Sequence, residues 1–270
     1  MLTVSNLHKT FNPGTVNEVR ALRGVSLDLP DGSFLIILGG NGSGKSTLLN
    51  AVAGCFRPDQ GEIRVDGHDV THWPEHRRAR LIGRVFQNPF TGTAPGMSIA
   101  ENLALAARRG QRRRLGWALP RTLLDELRDR VSQLKMGLED RLGNAIGSLS
   151  GGQRQALTLL MATWLKPALL LLDEHTAALD PKSADLVLRV TEEVVSRHRL
   201  TTLMVTHSMH QAANLGDRLI VMHKGSVAYR FAGADKQRLG VDDLLNRFEE
   251  LRRRELLDET VADLLKETYV

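Results

Sequence analysis

Residues 39–47 read Gly39-Gly40-Asn41-Gly42-Ser43-Gly44-Lys45-Ser46-Thr47, set between an apolar run from Phe34 to Leu38 and a helix-forming run from Leu48 to Ala53. The segment fits G-x-x-x-x-G-K-[ST] in the strand-before, helix-after setting that gives the pattern its meaning. Glycines let the backbone curl until successive N–H groups face one point. The helix that begins near Lys45 adds its positive end, so the turn is an anion cradle. Lys45 is placed to reach the β- and γ-phosphates as a point charge, and the Ser46 hydroxyl to ligate Mg²⁺. A nucleoside triphosphate site on an α/β chain follows from these residues.

A second stretch narrows the reading. Leu149-Ser150-Gly151-Gly152-Gln153 is followed, after an apolar run, by Leu169 to Leu172 and then Asp173-Glu174. Together with Gln87, Ala178-Leu179-Asp180 and His207, these pieces come in the order found in the ATP-binding cassette (ABC) ATPases. Over roughly residues 1–230 the chain resembles that family. The resemblance implies an α/β, P-loop NTPase core of ABC ATPase type with an antiparallel β subdomain and an inserted α-helical subdomain, binding and hydrolysing ATP with Mg²⁺.

Each piece has its chemistry. The four leucines before Asp173 suit a strand buried on both faces, which delivers its acids at the carboxyl end where α/β sheets bind ligands. Asp173 is placed to hold Mg²⁺, and Glu174, on the other side of the strand end, is the candidate general base for the hydrolytic water. Ser150 and the glycines after it form a second anion-binding helix start. Two cradles exceed what one triphosphate needs; the resemblance resolves this with a head-to-tail homodimer, in which Ser150, Gly151, Gly152 and Gln153 of one copy cover the γ-phosphate on the P-loop of the other. It also implies that Phe11 stacks on adenine, that the Gln87 amide reaches Mg²⁺ and the attacking water, that His207 senses the γ-phosphate beside Glu174, and that Asp180 links the two sites across the dimer seam. The chain departs from the family at His175, where Pro is commoner, which makes this histidine a candidate for local pH sensitivity. His210 and His223 read as surface residues, since no ligand spacing supports a metal site around them.

The remaining composition excludes more than it adds. A net charge of +5 over 270 residues is spread along the chain with acids interleaved, and the densest run, Arg108-Arg109-Gly110-Gln111-Arg112-Arg113-Arg114, reads as a solvated loop, so no nucleic acid is expected. Cys55 is alone, which removes any intramolecular disulfide. No apolar stretch approaches the roughly 18–20 residues that cross a bilayer, and no signal pattern opens the chain, so a peripheral place on the cytoplasmic side of the membrane is expected.

In chain order, Leu2 to Leu7 and Ala21 to Leu29 alternate as antiparallel strands, and Gly61 to Gly67 adds a third ending in an Asp-Gly turn. Arg80 to Gln87 reads as a strand, and Leu203 to His207 as the last core strand. From Asn88 to Met97 the chain is rich in Pro and Gly, a candidate partner-docking loop. Ser98 with Glu101 then opens a helix by a capping box, and an inserted helical subdomain is expected over about 89–165. The cassette is expected to span 1–240 and a helical extension 241–270, where Asp242 caps a helix with Leu244, Leu245, Phe248 and Leu251 on one face. Leu256, Leu257, Val261, Leu264 and Leu265 fall on another face, so two short helices or one helix with two partners is expected.

One cassette without a membrane span points to the separate ATPase subunit of a transporter that meets integral-membrane permease subunits. The chain lacks the long coiled coil of chromosome ATPases and the second P-loop of translation factors; a soluble iron–sulfur assembly helper is the alternative. Gly83 to Pro95 and Asp173 to Pro181 resemble bacterial importer ATPases associated with solute-binding proteins for small organic solutes, including aromatic amino acids.

Overall fold

A computed structural model describes residues 1–110 and 119–253. The last arginines of the basic run and the apolar set from Leu256 to Leu265 lie outside the described residues.

The chain opens with β1 (Leu2–Phe11) and β2 (Val19–Leu29), then β3 (Phe34–Leu38), α1 (Lys45–Ala53), β4 (Gln60–Val65), β5 (His68–Asp69), α2 (Glu75–Arg78) and β6 (Ile82–Val85). Three helices follow, α3 (Ile99–Ala107), α4 (Arg121–Ser132) and α5 (Gly151–Thr163). The chain then returns through β7 (Leu169–Asp173), α6 (Pro181–His198), β8 (Thr202–Thr206), α7 (Met209–Asn214), β9 (Arg218–His223), β10 (Ser226–Ala232) and α8 (Gly233–Gln237), and a further helix covers 241–253.

The alternating strands form an antiparallel sheet in the order β2-β1-β4-β5. The continuous apolar runs form the second sheet, β10-β9-β3-β8-β7-β6, parallel throughout except for β10. Why those runs are unbroken is plain from the packing. Leu35 and Ile37 of β3 and Leu169 and Leu171 of β7 join α1 and the antiparallel sheet in one core. Their neighbours Phe34, Ile36, Leu38, Leu170 and Leu172 pack on the opposite face with Leu159 of α5 and Val195 of α6. A strand covered on both faces has no polar side to show. Each such Leu or Ile contributes about 1.5–3 kcal/mol by leaving water.

A third cluster unites Ile99 and Leu103 of α3, Leu127 and Val131 of α4, and Ala156 and Leu157 of α5. Ser98 starts α3 through the expected capping box with Glu101. These three helices lie in the chain between Gln87 and Asp173.

Two expectations are corrected. The core does not end at β8: β9 pairs with β3 from Leu35↔Arg218 to Leu38↔Val221, and β10 folds back on β9. Its turn, Lys224-Gly225, has both residues at positive φ, 44° and 80°, as a two-residue hairpin requires. Asp242 does not cap the final helix. Gly240 precedes its first turn, the Leu244 N–H reaches the Gly240 carbonyl, and the Asp243 carboxylate accepts from the Gly240 N–H at 2.9 Å.

Candidate functional site

Strand β3, buried over its whole length, ends at the Gly-rich turn, and α1 begins directly after it at Lys45. Gly44 precedes the helix with φ 98°, and a Cβ there would stand 2.5 Å from the Ala21 carbonyl oxygen, so only glycine fits. It offers no side chain to cap the first turn. The N–H groups of that turn are thereby left for an anion. The β9–β10 turn braces the loop from outside, with the Gly225 N–H on the Ser43 carbonyl at 3.0 Å. Gly39 is buried, whereas Gly40, Asn41, Gly42 and Ser46 face solvent and Thr47 is half-buried.

Lys45 is the buried cation of the cradle. Its Nζ donates to the Gly39 and Gly40 carbonyls at 2.8 and 2.9 Å. Burial pushes the ammonium below its ordinary range, while the nearby carboxylates of Glu174 and Asp173 hold it up.

Strand β7 brings those carboxylates to the loop. Glu174 turns off the strand at φ 43°, with its N–H on the Val205 carbonyl at 3.0 Å. Its Oε2 lies 3.4 Å from Gln87 Nε2 and 3.3 Å from His207 Nδ1. The three residues that the sequence nominates for water activation therefore meet at one carboxylate oxygen, although they come from the ends of three different strands. Asp173 Oδ2 accepts instead from Arg84 Nη2 at 3.2 Å, a partner that no sequence pattern indicated. Burial pushes the Asp173 carboxyl up, and Arg84 opposes that shift.

Among the described residues no three His, Cys, Asp or Glu side chains gather as a metal cage. Mg²⁺ does not need one, since it takes one or two protein oxygens and fills its octahedron with phosphate oxygens and water. Ser46, Asp173 and Gln87, the residues the sequence nominates, would offer oxygens of this kind to a bound Mg²⁺.

Other nominated residues lie apart. Ser150 caps α5 in a capping box with Gln153, and among the described residues the hydrogen bonds of these two side chains stay within that box. Gly151 and Gly152 pack toward Leu179 and Ser183, so this segment abuts the Asp180 turn. Asp180 caps α6 by accepting from the Ser183 N–H at 3.0 Å, and the Ser183 side chain together with that N–H draws its carboxyl below the usual range. Phe11 sits at the end of β1 opposite Val19, two residues from the Ala21 carbonyl that touches Gly44. Phe56 braces its ring edge-on at 5.4 Å between centroids, and the Lys9 ammonium lies 5.6 Å from its centre.

The loop after Gln87 is firmly tied. Gln155 Nε2 donates to the Phe86 carbonyl at 3.0 Å, Asn102 exchanges hydrogen bonds with the backbone of Ala94, and exposed Phe90 stacks on the buried Arg154 guanidinium at 3.7 Å.

Comparison with known proteins places this arrangement. The family model described as ABC transporter matches residues 22–177. The tyrosine transport ATP-binding protein of Clostridioides difficile is 41% identical over 251 residues, covering 92% of this chain and 99% of that protein. An energy-coupling factor transporter ATP-binding protein of Geobacillus kaustophilus is 34% identical, over 82% of this chain and 78% of that protein. Among solved structures, a dimeric ATP-binding cassette in a post-hydrolysis state with ADP and Pi superposes with a TM-score of 0.73 at 26% identity, covering 86% of this chain and 98% of that one.

Proposed function

The chain belongs to the ABC transporter family, and on that premise we propose that it is the ATP-hydrolysing subunit of an importer for an aromatic amino acid such as tyrosine. ATP binding and hydrolysis follow from the family itself. The substrate reading is supported by the relative from Clostridioides difficile, which the chain matches over nearly its whole length.

The observation that carries the chemistry is the meeting of Gln87, Glu174 and His207 beside the Lys45 cradle. The N–H groups of residues 42–47 and the Lys45 ammonium hold the β- and γ-phosphates. Lys45 has three donors, so it can turn one toward phosphate and still keep a carbonyl. Ser46, Asp173 and Gln87 would hold Mg²⁺, which when bound would supply positive charge to the triphosphate. Glu174 accepts a proton as water attacks the γ-phosphorus, and the electron pair of the broken P–O bond leaves with ADP. Gln87 and His207 keep the Glu174 carboxylate aimed. Phe11 offers its π-face to the base.

A second copy supplies Ser150 to Gln153 to each nucleotide in a head-to-tail homodimer, a reading supported by the dimeric cassette of similar fold. Among the described residues no helix is long and apolar enough to cross a membrane. The subunit acts peripherally, on the cytoplasmic face, against separate permease subunits, with a solute-binding protein delivering cargo and Asp180 coupling the two sites, a reading supported by its transporter relatives.

Glu174→Gln keeps the shape of the carboxylate and loses its basicity, so the variant is expected to bind ATP, accumulate as a closed dimer and hydrolyse at least 100-fold more slowly, by the usual worth of a general base. Turnover at the wild-type rate would place the base elsewhere. Deleting the subunit from its host is expected to abolish uptake of labelled tyrosine; full tyrosine uptake with loss of another solute would overturn the substrate reading alone.

A further inference from the structure

The strand leading to Gln87 carries a cation that the activity described so far does not use. Strand β6 alternates in the ordinary way. Gly83 lies against α5, where a Cβ would stand 2.4 Å from the Ala162 carbonyl oxygen, while Ile82 joins the core around α1. Arg84 shares the face of Ile82 and so reaches between α1 and the end of β7. Its Nη2 donates to Asn50 Oδ1 at 2.6 Å and to Asp173 Oδ2 at 3.2 Å. Nη1 lies 3.1 Å from Cys55 Sγ, and the guanidinium rests 4.5 Å from the centre of the Phe86 ring. The Arg84 and Asp173 side chains are only 13% and 17% exposed, so water screens their attraction weakly.

We propose that Arg84 is the resident counter-cation of Asp173 and sets the Mg²⁺ concentration at which nucleotide is held tightly. This rests on the reading of Asp173 as the Mg²⁺-site carboxylate. Lys45 donates to the Gly39 and Gly40 carbonyls, and the charge-assisted bond to Asp173 comes from Arg84. A fixed positive charge against a carboxylate opposes the approach of a second cation. The fork of the guanidinium matters as much as its charge. Anchored on Asn50 and stacked on Phe86, it can loosen its hold on Asp173 without leaving the site, which the single point charge of a lysine cannot do. Asn50 lies on the same helix as Lys45 and Ser46, so the position of the P-loop helix and the orientation of Asp173 are joined through one side chain.

The test is a Mg²⁺ titration of trinitrophenyl-ATP binding to the full chain at pH 7.5, read by fluorescence, so that turnover does not enter. Arg84→Gln keeps an amide donor for Asn50 and loses the charge; it is expected to lower the half-saturating Mg²⁺ by about three- to ten-fold, in line with the effect of one neighbouring charge. Arg84→Lys keeps the charge and should stay closer to wild type than Arg84→Gln does. An unchanged or raised Mg²⁺ requirement in Arg84→Gln, or an equal fall in both variants, overturns the proposal. Asp173→Asn separates the two readings, because it should lose the Mg²⁺ dependence. If Asp173→Asn keeps the wild-type dependence, the metal reading fails and Arg84 with it; if it loses the dependence while Arg84→Gln is unmoved, the failure is Arg84's alone.

Discussion

His175 stands one residue beyond the candidate base, and burial decides its charge. Its ring is 1% exposed, and its Nε2 lies 3.1 Å from Thr191 Oγ1. The Thr191 hydroxyl already donates to the Val187 carbonyl at 2.8 Å, so His175 is the donor and its proton sits on Nε2. Nδ1 is buried with no hydrogen-bond partner among the described residues, and burial pushes the imidazole down to about 4. It is therefore neutral at ordinary pH, which confines the pH sensitivity that its place in the turn suggests to the acid range. The consequence is for stability. The folded value lies below the ordinary 6.5, so between the two the unfolded chain binds the proton that the folded chain refuses; the contribution is complete above about pH 6.5 and is lost as pH falls toward about 4. Urea unfolding at pH 7.5 and pH 5 is expected to show wild type losing about 2 kcal/mol more than His175→Leu over that interval. Equal losses in the two proteins would mean that another group titrates.

Helix α1 carries the cradle at one end, and its other end is finished by a residue far away in the chain. Arg78 of α2 is 1% exposed; its Nη1 donates to the Ala51 and Val52 carbonyls at 2.7 and 2.8 Å, Nη2 to Thr71 and Nε to Trp73. A cation at a helix C-terminus satisfies orphan carbonyls and meets the negative end of the dipole. Burial pushes the guanidinium down to about 10, still charged at neutral pH. Arg78→Met fills the space but leaves those carbonyls bare, and a loss of roughly 3 kcal/mol is expected in thermal or urea unfolding. A shift under roughly 0.5 kcal/mol, the size of an ordinary surface change, would show that water replaces the guanidinium. Such contacts mark the limit of what the sequence carries. The strands β3 and β7, the helix starts at Ser98, Ser150 and Asp180, and the acids after β7 were legible because each is written in a run of neighbouring residues. Arg78 and Arg84 were not, since their partners Ala51 and Asp173 lie 27 and 89 residues away and no local pattern names them. β9 was legible in principle, its Leu219-Ile220-Val221-Met222 run being as apolar as β7. The loop from Asn88 to Met97 stands between the two cases: its irregular composition marked it, but not the Asn102 and Arg154 contacts that hold it in shape. A crosslinker at exposed Thr91 is expected to capture a permease subunit from membranes, and capture of nucleic acid instead would contradict the transporter reading.

At the scale of the whole molecule the open matter is what the last helix does for the cassette. Residues 241–253 are a structural part of it: Leu244 is fully buried in the second core, with Phe248 packed against the same cluster. Tyr229 of β10 donates to Glu250 at 3.0 Å, pinning the helix to the edge strand. Leu245, Phe248 and Leu251 also line a groove of about 500 Å³ bordered by Gly40 to Ser43 of the cradle. The helix therefore packs on the sheet and faces the nucleotide turn across this groove. Two truncations separate its roles. Ending the chain after Gly240 removes Leu244 and Phe248 and opens the second core, which should cost roughly 5–10 kcal/mol, the sum of two large-to-small losses. Ending it after Arg253 leaves both in place and should unfold as wild type does. If the remaining segment joins the two cassettes, the second truncation alone should weaken their association without nucleotide, measured by sedimentation, while ATP binding at Lys45 persists. Equal association of the two long forms would confine the extension to packing on its own subunit, and a truncation after Gly240 as stable as the whole chain would refute the place given to Leu244 in the core.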